Sequence, residues 1–156
     1  MATYDLTGVP NRLYQIYEGA EGSRSYRHAL NVATDMATQT AGDVAHMLPL
    51  SGAETVSGGV TYGYASYVYG AWVEIITPST TSGSTVNVGD NESATQYLSG
   101  TSATATAGTV TMSPMSTAKV YYAADDINMV LGTTAPANGV FGVGAIIINI
   151  PVTGQY

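Results

Sequence analysis

His28 and His46 are the only histidines in this 156-residue chain, and it contains no cysteine. Nucleophilic catalysis needs a Ser, Thr or Cys activated by a neighbouring base. No serine here stands in a Gly-x-Ser-x-Gly elbow. Each histidine therefore reads as a strand-face residue holding one hydrogen bond. Asp125 and Asp126 are an adjacent carboxylate pair, the residue type that glycosidases use for acid–base work. Successive strand residues point to opposite faces, so these two would not converge. The stretch Ala123–Asp126 reads better as a turn, which Asp favours. Asp90, Asn91 and Glu92 offer hard oxygen ligands of the kind that hold Ca²⁺. Their spacing fits no calcium loop, and Gly-Asp-Asn is first a tight turn. Tyr62, Tyr64, Tyr67 and Tyr69 with Trp72 could form an aromatic platform for sugar rings, although Tyr is also simply a good strand former. Asn91-Glu92-Ser93 is a glycosylation sequon, relevant only in a secretory context that the start Met1-Ala2-Thr3-Tyr4-Asp5 does not supply. No phosphate loop or nucleotide fingerprint is present. These residues name no reaction, no metal and no cofactor, and the expectation is a non-enzymatic protein.

Composition narrows the classes further. Only 10% of the residues are charged while 45% are hydrophobic. An ordinary domain carries about 25% charged residues, so Thr, Ser, Gly and Asn must make up a polar but weakly charged surface. Four basic residues stand against eleven acidic ones, a net charge of −7. Binding to nucleic-acid phosphates requires a basic patch, and nothing in this chain supplies one. No run approaches the roughly 20 apolar residues of a helical membrane span. The expected partners therefore include neither nucleic acid nor membrane. Three of the four bases, Arg12, Arg24 and Arg27, lie within the first 27 positions alongside Tyr4, Tyr14 and Tyr17. Arg and Tyr are favoured at interfaces. Residues 1–25 thus read as an N-terminal arm, and 26–156 as a single domain.

The elements that must position these residues alternate with period two. Tyr26, His28, Leu30, Val32 and Thr34 share one parity, which argues a half-buried strand, with a helix over Ser23–Gln39 as the rival. Asp43–Leu50 is the next strand, followed by a turn-rich stretch Gly52–Gly59. Val60–Thr77 would reach roughly 60 Å if extended, so it must break or bend. Tyr62 and Tyr64 have one parity and Tyr67 and Tyr69 the other. That phase slip near Ala65-Ser66, with Gly70 after it, predicts a bulge or a corner between two strands. Further strands are expected at Ser84–Val88, Thr95–Leu98, Gly108–Met112, Ala118–Tyr122, Ile127–Leu131 and Phe141–Ile150, with Ser99–Ala107 an exposed connection. About eight to ten short strands and no convincing helix specify an all-β sandwich or barrel. The last strand is apolar on both faces, Gly144, Ile146, Ile148 and Ile150 on one and Val143, Ala145 and Ile147 on the other. Such a strand invites aggregation unless something covers it.

Several runs carry a resemblance. They are Ala41-Gly42-Asp43-Val44 to Leu48-Pro49-Leu50, Ala71-Trp72-Val73-Glu74-Ile75-Ile76-Thr77-Pro78, and Val86-Asn87-Val88-Gly89-Asp90. Tyr97-Leu98 before a Thr/Ala-rich connection and Tyr121-Tyr122-Ala123-Ala124-Asp125-Asp126-Ile127-Asn128-Met129 complete the set. In order and spacing the chain, over roughly residues 41–150, resembles the small head proteins encoded beside the major capsid protein in many tailed bacteriophages. The resemblance implies a jelly-roll-like β-sandwich on the capsid exterior, a decoration or cement protein that forms trimers and ties major capsid protein subunits together. It departs from the family pattern at Ser51–Gly70, where a tyrosine-bearing insertion replaces a short Ile-Pro-Ala-Gly-Thr-like entry.

Two contact sets follow as expectations. Arg12, Tyr14, Tyr17, Arg24 and Arg27 meet the capsid shell, and Ile146, Ile148 and Ile150 meet sister subunits in a homotrimer. The rival readings are a receptor- or glycan-binding module of a virion fibre, using the Tyr62–Trp72 region, and a tail or neck structural protein.

Overall fold

The computed structural model describes residues 1–5, 13–18, 23–50, 53–56, 60–151 and 154–155, with side chains over 1–4, 26–50 and 65–150. In chain order the strands begin with β1 (Thr3–Asp5), β2 (Leu13–Glu18) and β3 (Ser23–Asn31). The rivalry between strand and helix after Ser23 resolves as both. Asn31 ends β3 by accepting from the Ala33 amide at 3.1 Å, and this cap starts a single helical turn, α1 (Val32–Asp35). Next come β4 (Val44–Leu50), β5 (Ala53–Val56), β6 (Val60–Thr77), β7 (Thr85–Gly89) and β8 (Leu98–Ser102). The set closes with β9 (Val110–Met112), β10 (Lys119–Tyr121), β11 (Asp125–Leu131), β12 (Val140–Pro151) and β13 (Gly154–Gln155).

Eight of these strands pair as nested antiparallel hairpins: β3 with β12, β4 with β11, β6 with β10, and β7 with β8. Nesting of this kind, with the chain passing from sheet to sheet, is a jelly roll. The larger sheet runs β10-β6-β12-β3-β2, and the smaller runs β1-β4-β11-β7-β8. Their inward faces meet in one core, where Leu30, Val73, Ile75, Phe141 and Val143 oppose Leu48, Val86, Val88, Ile127 and Met129. The all-β sandwich expected from the period-two pattern is what the chain forms.

Bulges reset the parity of two strands. Along β12, Ile146 pairs with Gly70 and Ile147 with Val68, leaving Tyr69 as the extra residue of β6. Inward positions are therefore odd beyond the bulge (Ala71, Val73, Ile75) and even before it at Val68. The break expected near Ala65-Ser66 is instead a bulge at Tyr69, with the register continuous through Tyr64–Val68, and β6 stays one strand of 18 residues. Its surplus length is used: Val60–Gly63 pair with β5 and, over Val60 and Thr61, with β13. The stretch expected to be turn-rich therefore contains β5. Met47 is likewise skipped between β4 and β11. His28, fully buried, donates from Nδ1 to the Met47 carbonyl oxygen at 3.0 Å. Its place is the core rather than a strand-face edge, serving a carbonyl that the bulge takes out of register.

Within the segment grouped as an arm, β1 lies parallel to β4 and β2 antiparallel to β3. The buried carboxylate of Asp43 holds the start of β1. It accepts from the Ala2 amide at 2.6 Å, Thr38 Oγ1 at 2.9 Å and the Thr40 amide at 3.0 Å. Burial alone would favour the neutral acid, but these donors hold its pKa well below the ordinary carboxylate range. The expected Ser99–Ala107 connection is also revised. β8 occupies its first half, and Ala103 is fully buried. Pairing with β7 alone, β8 is an edge strand whose Ser99 and Gly100 face solvent, so no apolar alternation marks it.

Candidate interaction surface

The outward face of the larger sheet is assembled from strands whose other face fills the core. On β6 the residues alternating with Ala71, Val73 and Ile75 are Trp72, Glu74 and Ile76, and beyond the bulge Tyr67 joins them. On β12 the outward residues are Gly142, Gly144, Ile146, Ile148 and Ile150. The glycines have a steric reason. A Cβ on Gly144 would run into the Trp72 indole and the Tyr26 carbonyl, and one on Gly142 would meet the Arg27 guanidinium. Trp72 therefore lies down across β12, half-buried, and Arg27 reaches across to Glu74 with Nε–Oε2 at 2.7 Å. Tyr67 and Tyr69 meet edge to face at 6.2 Å between centroids, and the Tyr69 hydroxyl donates to Met115 Sδ at 3.6 Å. Ile146 and Ile148 are half-buried, while Ile150 is 42% exposed. The result is an aliphatic and aromatic face whose described charges, Arg27 and Glu74, neutralise each other.

Part of the first expected contact set shares this face with the second. In register, Tyr14 pairs with Arg27, Arg27 with Gly144 and Gly144 with Trp72, a row crossing β2, β3, β12 and β6. Arg27 thus shares the outward face with Ile146, Ile148 and Ile150. Tyr17 pairs with Ser25, in the outward row of Ile146, whereas Arg24 pairs with Glu18 and Ile147, in a row of the opposite parity. Arg12 lies outside the described residues. Of the expected aromatic platform, Trp72 is packed against its own sheet, and the Tyr62 and Tyr64 side chains lie outside the described residues.

The outward face of the smaller sheet differs in kind. His46 Nδ1 meets Asp126 Oδ2 at 3.0 Å, and Asn128 Nδ2 donates to Asn91 Oδ1 at 2.9 Å. Asp125 Oδ1 accepts the Asn91 amide at 3.1 Å, so the adjacent carboxylates diverge. A groove of about 310 Å³ runs here between Val44, His46, Asn128 and Val130 and the turn Asp90–Ala94 folded over them. Behind it sits a cluster that sequence reasoning missed. Asp90, its side chain fully buried, accepts from Lys119 Nζ at 2.8 Å and the Tyr121 hydroxyl at 2.6 Å, while the Tyr97 and Tyr121 hydroxyls lie 2.5 Å apart. Its other oxygen accepts the Glu92 and Ser93 amides at 3.0 and 2.7 Å. Burial opposes the charge, but the Lys119 ammonium and the Tyr121 hydroxyl outweigh it and hold the Asp90 pKa below its usual range. Burial and the neighbouring carboxylate push both tyrosines well above theirs. The one signal was Lys119, the sole base after Arg27, which also reaches Glu92 at 2.8 Å. Lys119 saturates Asp90 and ties β10 of the larger sheet to the turn after β7 of the smaller. No group of three or more His, Asp or Glu able to hold a metal ion occurs among the described residues.

No protein-family model and no curated protein matches the chain. Two solved structures contain chains of similar fold. One, described as the cyanophage Pam1 capsid asymmetric unit, aligns with a TM-score of 0.59 and 18% identity over 88% of this chain and 93% of the other. The second, the capsid of Ralstonia phage GP4, aligns with a TM-score of 0.54 and 12% identity over 94% and 97%.

Proposed function

We propose that this chain is a non-enzymatic structural protein of a bacteriophage virion, a decoration or cement protein on the outside of the head. In this reading it holds neighbouring major capsid protein subunits together. The observation that carries the proposal is the outward face of the larger sheet. Trp72, Tyr67, Ile146, Ile148 and Ile150 form an apolar surface there, with the described charges internally paired. Contiguous apolar surface of this kind marks interaction sites on soluble proteins. The near end-to-end likeness to capsid chains supports the same reading at the level of fold.

The mechanism is mechanical. Area buried against the shell raises the free energy needed to separate subunits, and several such contacts per particle act together. The row through Tyr14 and Arg27 and the residues Ile146, Ile148 and Ile150 share one face, so shell and sister-subunit contacts are contiguous. In a homotrimer closed around Ile146–Ile150, the Arg- and Tyr-bearing strands β2 and β3 flank the axis and reach the shell.

Co-sedimentation of the purified chain with heads that lack it tests this reading. Removing residues 1–25 would strip β1 and β2 from their sheets, so substitution is the cleaner perturbation. Saturable binding weakened by I148D is the expected result. An absence of binding to heads, or labelling of the tail rather than the head in intact particles, overturns the assignment.

A further inference from the structure

We propose that β9 is a docking edge for a second copy of this chain, paired antiparallel with the first about a two-fold axis through Thr111. β9 pairs only with β6, and no other described strand lies along its second side. Its backbone points the right way. Ile75 donates to the Thr109 carbonyl at 2.9 Å and Ser113 donates to the Ala71 carbonyl at 2.8 Å, with Thr111 opposite Val73 between them. Alternation along an antiparallel strand then turns the N–H and C=O groups of Val110 and Met112 away from β6. An open row of donors and acceptors accepts a strand, not a helix.

The side chains indicate which strand. Val110 and Met112 are 53% and 58% exposed, opposite Glu74 and Trp72 on the outward face, and Met115 beside them is 67% exposed. No charged residue stands between Glu92 and Lys119. Natural sheets protect such edges with charge, proline, a bulge or brevity, and β9 has only its three-residue length. A chain of net charge −7 repels its own copy elsewhere, whereas this edge brings two copies together without like charges. An isologous contact also requires that residue i face j while j faces i. Centred on Thr111, Val110 faces Met112 of the partner subunit and the partner's Val110 faces Met112. Both pairs are apolar, and they are the pairs whose backbone groups are free, giving four main-chain hydrogen bonds. The larger sheets of two copies would join into one continuous sheet.

This edge contact adjoins the proposed shell-binding face at Trp72, and its test does not involve heads. Sedimentation equilibrium of the full chain at tens of micromolar should show even-numbered association. V110K/M112K places Lys opposite Lys across the axis and should halve the mass, with circular dichroism and the thermal melt unchanged. V110K/M112E places Lys opposite Glu in this register only and should restore association. Because the chain has no cysteine, T111C should give a disulfide-linked dimer under mild oxidation, since directly opposed non-hydrogen-bonded residues lie about 4.5 Å apart. A monomeric or strictly trimeric wild type overturns the proposal. So does a mass unchanged by V110K/M112K, or a T111C chain that stays unlinked.

Discussion

The two outward faces of the sandwich solve opposite problems. Across the smaller sheet, polar groups answer one another: His46 with Asp126, Asn128 with Asn91, and behind them Asp90 with Lys119 and Tyr121. Across the larger sheet, Trp72, Tyr67, Ile146, Ile148 and Ile150 lie side by side with one ion pair. The first face pairs most of its described polar groups within the chain, Asn128 Oδ1 excepted. The second leaves apolar area for something else to cover. Substitutions on the polar side should therefore cost stability, and those on the apolar side should cost association.

The largest stability effect is expected at Asp90. D90A leaves Lys119 and the Tyr121 hydroxyl without their buried acceptor, and chemical denaturation should show a loss of about 3 kcal/mol with head binding retained. If binding falls while stability holds, the division of labour is reversed. The same group sets an acid sensitivity. Its folded pKa lies below the ordinary value, so its stabilisation is fully present above about pH 4 and fades as pH falls through the folded pKa. Asp43 titrates in the same direction. A stability profile from pH 6 to pH 2 should decline for the wild type and less steeply for D90A.

G144V sharpens the contrast from the apolar side. The new Cβ displaces the Trp72 indole, and overpacking of this kind costs about 1 to 3 kcal/mol. It should weaken head binding as well, because Trp72 is lifted off the face. N128L removes one hydrogen bond to Asn91 together with a buried Oδ1 that has no partner. Thermal melts should place its cost within about 1 kcal/mol. The smallest stability effect belongs to I150D, within about 0.5 kcal/mol at an exposed position, yet head binding should drop about tenfold if Ile150 lies in the contact. An I150D chain that binds like the wild type removes Ile150 from the interface.

Much of the fold was legible because period two survives wherever one face is buried. β3, β4, β7, β11 and β12 fall near their expected positions for that reason. The tyrosine phase slip points to a break near Ala65-Ser66, where the register in fact runs unbroken; the extra residue is Tyr69, because bulge position depends on the register against β12. Edge strands were less readable. β8 carries Ser, Gly and Thr because solvent, not a core, lies beside it, and β1 is only three residues long. The Asp90 cluster was not readable at all, since Lys119 lies 29 residues away and only the jelly-roll crossing brings it back. Parity alone puts Ile146, Ile148 and Ile150 on one side of β12, but the side they share with Arg27 follows only from pairing with β3.

The nested pairing also fixes when the apolar face can exist. β12 lies between β3 and β6, and its partner residues in β3 precede it by more than a hundred positions, Asn31 pairing with Val140. During synthesis the larger sheet lacks its middle strand until β12 has left the ribosome. The surface built on Ile146 and Ile148 then appears in a single late step. An interrupted chain, lacking β12, never presents this surface.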